Sequence, residues 1–135
     1  MLVAPTLRLT HRAALMMLER AVAKAEEIGQ PQCIVIVDAS GETLAQLRMD
    51  GAKFLSLKSA RAKARTAASI GQPSGSIPEE VGLLIAAATE GEVTRLRGGL
   101  PIVVEGVLVG GVGVGSGSPA QDCAVAEAAL AALTA

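Results

Sequence analysis

The stretch GGVGVGSGSPAQDCAVAEAAL, residues 110–130, threads five glycines through a valine-rich run and then turns into an alanine-rich pattern. A glycine-rich junction between strand and helix is the setting of a phosphate-binding loop, so its spacing is the first thing to test. The dinucleotide fingerprint requires glycine at positions 1, 3 and 6. Counting from Gly111 puts Ser116 at the sixth position, and counting from Gly113 puts Ser118 there. A Walker A loop requires Gly-Lys-Ser/Thr, and no lysine follows Lys63. A G-x-S-x-G nucleophile elbow fails at Ser116, which has Val114 two residues before it. What remains is alternation. In a strand, Gly111, Gly113 and Gly115 share one face while Val112 and Val114 share the other. The bare face admits a closely packed helix or a second backbone, or serves as the floor for a flat ligand; the two uses are compatible. Ser118 is then a natural N-cap, with Pro119 at the first position of the closing helix.

Outward from this strand the chain repeats a simple grammar. LPIVV and VLVGGVGVG flank Glu105-Gly106 as a hairpin. CIVIVD (33–38) is a β-branched run without helical period and reads as a buried strand. ASGE follows as a turn, and TLAQLRM (43–49) returns antiparallel, because four residues cannot make a parallel crossover. Thr10 caps a helix from His11 that places Leu15, Leu18, Val22 and Ala25 on one face and stops near Gly29. Residues 55–70 form a second helix, with Leu57, Ala60, Ala64 and Ala67 on one face and Lys58, Arg61 and Arg65 on another. A short helix over 79–88 carries Glu79 and Glu80 in its first turn. Hairpins separated by helices predict an α+β fold, one antiparallel sheet with helices packed on it, with residues 1–135 as a single domain.

Composition bounds the function. Hydrophobic residues make up 50% of the chain, which is globular rather than disordered. Twelve basic residues against 13 acidic ones give a net charge of −1, so no nucleic acid or membrane partner is expected. Phe54 is the only aromatic residue, which removes the platforms for base stacking. Arg8, His11 and Arg12 interrupt the apolar N-terminal stretch, and no run approaches the roughly 18 apolar residues of a membrane helix. Cys33 and Cys123 have neither CxxC nor zinc spacing and read as small buried residues in a reducing, cytoplasmic setting. The alanine-dominated helix faces bury little apolar area at about 25 cal/mol per Å², so assembly into a homo-oligomer is expected.

Candidate chemistry is sparse. His11, the only histidine, is either a packed residue at the edge of an apolar face or an axial ligand to haem iron. In RMDGA (48–52) an Asp-Gly turn accounts for the segment; the functional reading gives Arg48 a carboxylate to bind and Asp50 an acid–base role. Residues 53–65 carry five basic residues and no acid, a solvated stripe or a partner for Glu19, Glu26 and Glu27.

Taken together, IVIVDASGETLAQLRMDGA, SLKSARAKARTAAS, GGLPIVVEGVLVGGVGVGSGSPAQD and the alanine-rich closing helix resemble the GlcG/HbpS-like, or haem-degrading domain, family from about residue 10 onward. R-M-D-G-A at 48–52, K-A-x-T-A at 63–67, G-G-x-P-I at 98–102 and the glycine-rich strand before Gln121-Asp122 occur in the family's order. The resemblance implies a PAS/profilin-like two-layer sandwich, homo-oligomers from dimer to octamer, and haem binding in some members. It carries over Arg48, Asp50, Gly51, Lys63, Thr66, Gly99, Pro101, Gln121 and Asp122, expected to line one pocket beside Gly111 and Gly113. The leading expectation is a small-ligand-binding protein whose ligand is haem or another carboxylate-bearing molecule, with Arg48 and Lys63 meeting carboxylates and His11 approaching iron. The alternative is a small-molecule enzyme (isomerase, tautomerase or lyase) working by proton transfer, with Asp50 or Lys63 as base and Arg48 holding a substrate carboxylate.

Overall fold

The structure is a computed structural model and describes residues 1–134. Helix α1 (His11–Glu27) is followed by β1 (Cys33–Asp38), β2 (Thr43–Arg48), α2 (Leu55–Ile70) and a 3-10 turn (Ser74–Ser76). Then come α3 (Glu79–Ala88), β3 (Gly99–Val104), β4 (Val107–Gly115) and α4 (Pro119–Ala131). The four strands form one sheet in the order β2-β1-β4-β3, antiparallel throughout. Both hairpins, the helix over 79–88 and the α+β architecture are as the sequence predicts. None of the described helices is long and apolar enough to cross a membrane.

Local chemistry sets the boundaries. Thr10 caps α1 by accepting a hydrogen bond from the Ala13 amide at 3.1 Å. Gly71, at φ 67°, ends α2 in the left-handed conformation. Ser118 and Gln121 form a reciprocal capping box that starts α4, with Pro119 just inside.

The glycines of β4 decide the packing. α2 lies along that strand so closely that a Cβ on Gly113 would overlap the Ala60 carbonyl, and one on Gly111 would overlap the Ala64 carbonyl. Next in line, Gly115 faces the Ser56 carbonyl. Residues 56, 60 and 64 step four at a time along the helix, about 6 Å per step. The glycines step two at a time along the strand, about 6.6–6.8 Å. These near-equal repeats let backbone meet backbone at three successive positions. Across the ladder Gly111 pairs with Val37, Gly113 with Val35 and Gly115 with Cys33. The fully buried Cys33, Val35 and Val37 therefore flank the groove that holds Ala60, Ala64 and Ala68.

The opposite face carries the larger core. Ile34, Ile36, Val112 and Val114 pack there with Ala14, Met17, Ala21 and Ala25 of α1 and with Val125, Ala126 and Ala129 of α4. Helices thus cover both faces of the sheet, which adds a layer, α2 on the glycine floor, to the two-layer sandwich expected. The buried stripe of α1 also differs from the expected one. Leu15 is 48% exposed, while Leu18 and Val22 are only partly buried beside Ala14, Met17, Ala21 and Ala25. Small side chains let α1 approach the sheet, turning Leu15 outward with Met16.

Candidate functional site

The most buried polar chemistry sits where α2, β4 and α4 meet. Lys63 and Asp122 are 5% and 3% exposed. The Lys63 Nζ donates to Asp122 Oδ2 at 3.0 Å and to the Val114 carbonyl at 2.8 Å. Asp122 Oδ1 accepts from the Gly117 amide at 3.0 Å. The surroundings of buried Gln32 assign its amide: the nitrogen donates to Asp122 Oδ1 at 2.8 Å and to the Gly115 carbonyl at 2.6 Å. Among the described residues no buried side-chain nitrogen or oxygen lacks a partner. A buried ion pair needs such complete satisfaction to offset its desolvation. The centre is closed: its cation, carboxylate and amide are all committed within the chain.

Two hydroxyls hold the segment leading into β3 against α2. Thr66 Oγ1 donates to the Ala62 carbonyl at 2.7 Å and accepts from the Thr94 amide at 2.9 Å. Ser74 Oγ donates to the Leu96 carbonyl at 2.6 Å and accepts from the Gly99 amide at 2.9 Å. Gly98, at φ 119°, lies directly over the ion pair, where a Cβ would stand 2.9 Å from Asp122 Cβ and 3.2 Å from Lys63 Nζ. Above it opens a cavity of about 190 Å³ lined by Pro73, Gly75, Arg97, Gly98, Gly99, Leu100 and Cys123. That volume lies below the range of about 300–1,000 Å³ usual for sites of drug-sized ligands.

The sequence-predicted site residues therefore fall into separate places. Lys63, Thr66, Gly99 and Asp122 gather at the closed centre, and Gln121 beside them caps α4. Pro101 is half-buried on β3. Gly111 and Gly113 do not form an open floor, because α2 occupies their face. Arg48 and Asp50 are exposed at and just beyond the end of β2, and neither has an ion-pair partner among the described residues. Gly51, at φ 88°, makes the expected turn against Pro31. His11 is exposed at the first residue of α1. Helix α1 covers the sheet face opposite α2, so within one chain His11 and Lys63 stand on opposite sides of the sheet. His11 is also one helix length, about 25 Å, from the end of α1 that leads to Pro31 and Gly51.

The basic stripe has a different acid from the one expected. Arg65 Nε meets Glu92 Oε2 at 2.6 Å, and its Nη1 donates to the Gly41 carbonyl at 3.2 Å. Glu19, Glu26 and Glu27 belong to α1, on the far face, where Glu27 pairs with Lys24 at 3.5 Å. Cys33 is fully buried as expected, its Sγ donating to the Lys53 carbonyl at 3.4 Å, whereas Cys123 is half-buried. Burial pushes the Cys33 thiol above its ordinary pKa, with Arg48 opposing and Asp122 reinforcing the shift. Gln32, Ser74, Thr94 and Glu92 complete these networks without any sequence signal that singles them out. Their partners lie between 22 and 90 residues away in the chain.

The surface around His11 has a distinct composition. Leu15 follows it by one helical turn, Met16 lies beside that residue, and both are exposed, 48% and 41%. Arg8 and Arg12 flank the imidazole in sequence and are exposed as well. No hydrogen bond or ion pair engages the His11 side chain among the described residues. The described residues also contain no group of three His, Cys, Asp or Glu able to hold a bare metal ion. A lone imidazole in apolar and cationic surroundings suits an iron already held by a macrocycle, which needs only axial ligation.

A model described as haem degrading protein HbpS-like matches residues 9–131. An uncharacterized 15.0 kDa protein from the dhaT-dhaS intergenic region of Citrobacter freundii is 35% identical over 129 residues, covering 90% of this chain and 89% of its own. The crystal structure of Klebsiella pneumoniae protein ORFY, of the DUF336 family, matches with a TM-score of 0.93 at 29% identity, over 100% of this chain and 97% of that one. The crystal structure of a PduOC–haem complex matches with a TM-score of 0.87 at 28% identity, over 93% and 95% of the two chains. With the model spanning most of its length and the fold agreeing throughout, the chain belongs to the HbpS-like family.

Proposed function

We propose that this protein binds haem or a closely related carboxylate-bearing tetrapyrrole, with His11 as a ligand to the iron. The observation that carries the reading is the surface of α1: an exposed imidazole without a partner among the described residues, one helical turn before exposed Leu15 and between Arg8 and Arg12 in sequence. A macrocycle supplies an apolar plate, an iron open to imidazole, and carboxylates that arginine binds well. The complex of haem with PduOC, whose fold this chain shares, supports the same reading. Arg48, outside the closed centre and at the far end of α1 from His11, can meet a carboxylate of the same ligand only from a second copy, whereas Lys63 is available only if its bond to Asp122 opens. One helix surface covers one side of a plate, so the reading includes a homo-oligomer in which a second copy covers the other. The free thiols Cys33 and Cys123 fit a reducing, cytoplasmic setting.

Titration of the purified protein with haemin, followed by absorbance, is the test. A saturable Soret shift in the wild type that is lost in His11→Ala is the expected result. A wild type with no shift, or a variant with an unchanged spectrum, rejects the proposal.

A further inference from the structure

On the outer side of α2, away from the sheet, three cavities run end to end. The first, about 550 Å³, is walled by Leu83 and Ala86 of α3 and by Leu96. It shares Thr94 and Leu96 with a second of about 360 Å³, which extends over Leu55, Ala62 and Lys58. Lys58, Ala62 and Gly91 are in turn shared with a third of about 60 Å³, bounded by Arg61, Arg65 and the turn Glu90-Gly91-Glu92. The two larger volumes lie in the range of small-molecule sites.

The trench is graded in chemistry. At the α3 end Leu83 is 88% exposed and Leu96 57%, and Leu55 beside the middle section is 66% exposed. Helix α3, EEVGLLIAAA, is apolar over eight successive residues, yet only Gly82 is buried, under the side chain of Arg95. Arg95 is held in turn by its bond to the Ile77 carbonyl at 2.9 Å. At the α2 end, Arg65 is neutralised by Glu92. Lys58 and Arg61 have no carboxylate within 4.0 Å among the described residues. They stand three residues apart on one helix, so their side chains converge on the same surface, about 5–6 Å apart at Cβ. Thr66 and Ser74 fix the 94–96 wall through their bonds to the Thr94 amide and the Leu96 carbonyl.

We infer that this trench binds an amphipathic anion: an acyl chain lying against Leu83, Leu96 and Leu55, with its carboxylate at Lys58 and Arg61. The orientation follows from net charge: Glu79 and Arg95 put one charge of each sign at the α3 end, whereas Lys58, Arg61 and Arg65 outnumber Glu90 and Glu92 at the other. This site is separate from His11, which lies beyond the opposite face of the sheet. The inference therefore stands or falls independently of haem binding.

Dodecanoate binding to the full-length protein, measured by calorimetry, tests it. The expected result is saturable binding of one dodecanoate per chain, weakened about tenfold, or about 1.4 kcal/mol, by Lys58→Glu and similarly by Leu83→Asp. His11→Ala leaves it unchanged. Both substituted trench residues are exposed, so the variants retain the fold, checked by circular dichroism. Absence of saturable binding overturns the inference, as does wild-type affinity in both trench variants. So does an assembly that excludes dodecanoate and that Leu83→Asp splits in sedimentation, because a second copy of the chain would then be what covers α3.

Discussion

Helices α2 and α3 are neighbours in sequence and opposites in packing. Helix α2 rests on glycines with its backbone against the sheet, buries six residues, and places Lys63 in a closed ion pair. Helix α3 buries one glycine and leaves Val81, Leu83 and Leu84 exposed. The former is more polar in composition and the latter more apolar, so hydrophobicity alone does not decide which helix becomes core. A matching surface does. The glycine face of β4 offers α2 a partner at the right spacing, and among the described residues nothing offers one to α3. The first helix therefore carries stability, and the second is free to carry recognition.

The sharpest way to break this contrast is at the closed centre. Asp122→Ala strands the Lys63 ammonium in a buried site and is expected to cost about 3–5 kcal/mol of stability, read from urea denaturation. Replacing both partners, Lys63→Met with Asp122→Leu, is expected to cost less than that single change, since no buried charge is left unpaired. Equal losses would show that the pair is solvated after all. Gly113→Ala comes next. Its new methyl overlaps the α2 backbone, which cannot shift like a flexible side chain, so a loss of about 1–3 kcal/mol is expected. An unchanged midpoint would mean that α2 does not sit where the structure puts it.

On α3 the same measurement should barely move. Leu83→Ser is expected to stay within about 0.5 kcal/mol of the wild type at protein concentrations too low for association. A larger loss would show that α3 has a packing partner. Thiol reactivity gives the smallest and most local contrast. Burial raises the pKa of Cys33 from its ordinary 9.0 and so lowers its thiolate fraction at pH 8, and iodoacetamide should modify the half-buried Cys123 well before Cys33. Above pH 9 the wild type should also lose some stability. A group whose folded pKa is raised binds its proton more tightly in the folded state, and that advantage fades as pH rises through the folded pKa. A flat stability profile there would count against a buried thiol.

Much of the fold was legible because it rests on local rules. The alternation of Gly111, Gly113 and Gly115 with Val112 and Val114 announces a bare-faced strand, and Ser118-Pro119 announces a helix start. The glycine face held two uses open in the sequence, and the geometry of α2 decides for packing. The site was less legible, because its partners are joined only by the folded chain. Lys63 reaches Asp122 across 59 residues, and Thr66 meets the Thr94 amide across 28. A lysine reads as a cation available to a ligand until the carboxylate beside it is known. Leu15 misled for a related reason. Its spacing fits a core stripe, but alanines on the neighbouring stripe let α1 approach more closely, and the leucine turns outward beside His11.

That outward turn is the basis of the central claim, that ligand chemistry lies on the exposed start of α1 and not at the Lys63–Asp122 centre. Haemin titration of three proteins side by side tests it most directly: the wild type, His11→Ala, and the Lys63→Met/Asp122→Leu double variant shown to be folded by circular dichroism. A Soret shift present in the wild type and the double variant but lost in His11→Ala is the predicted result. A shift that survives in His11→Ala and vanishes in the double variant would contradict it.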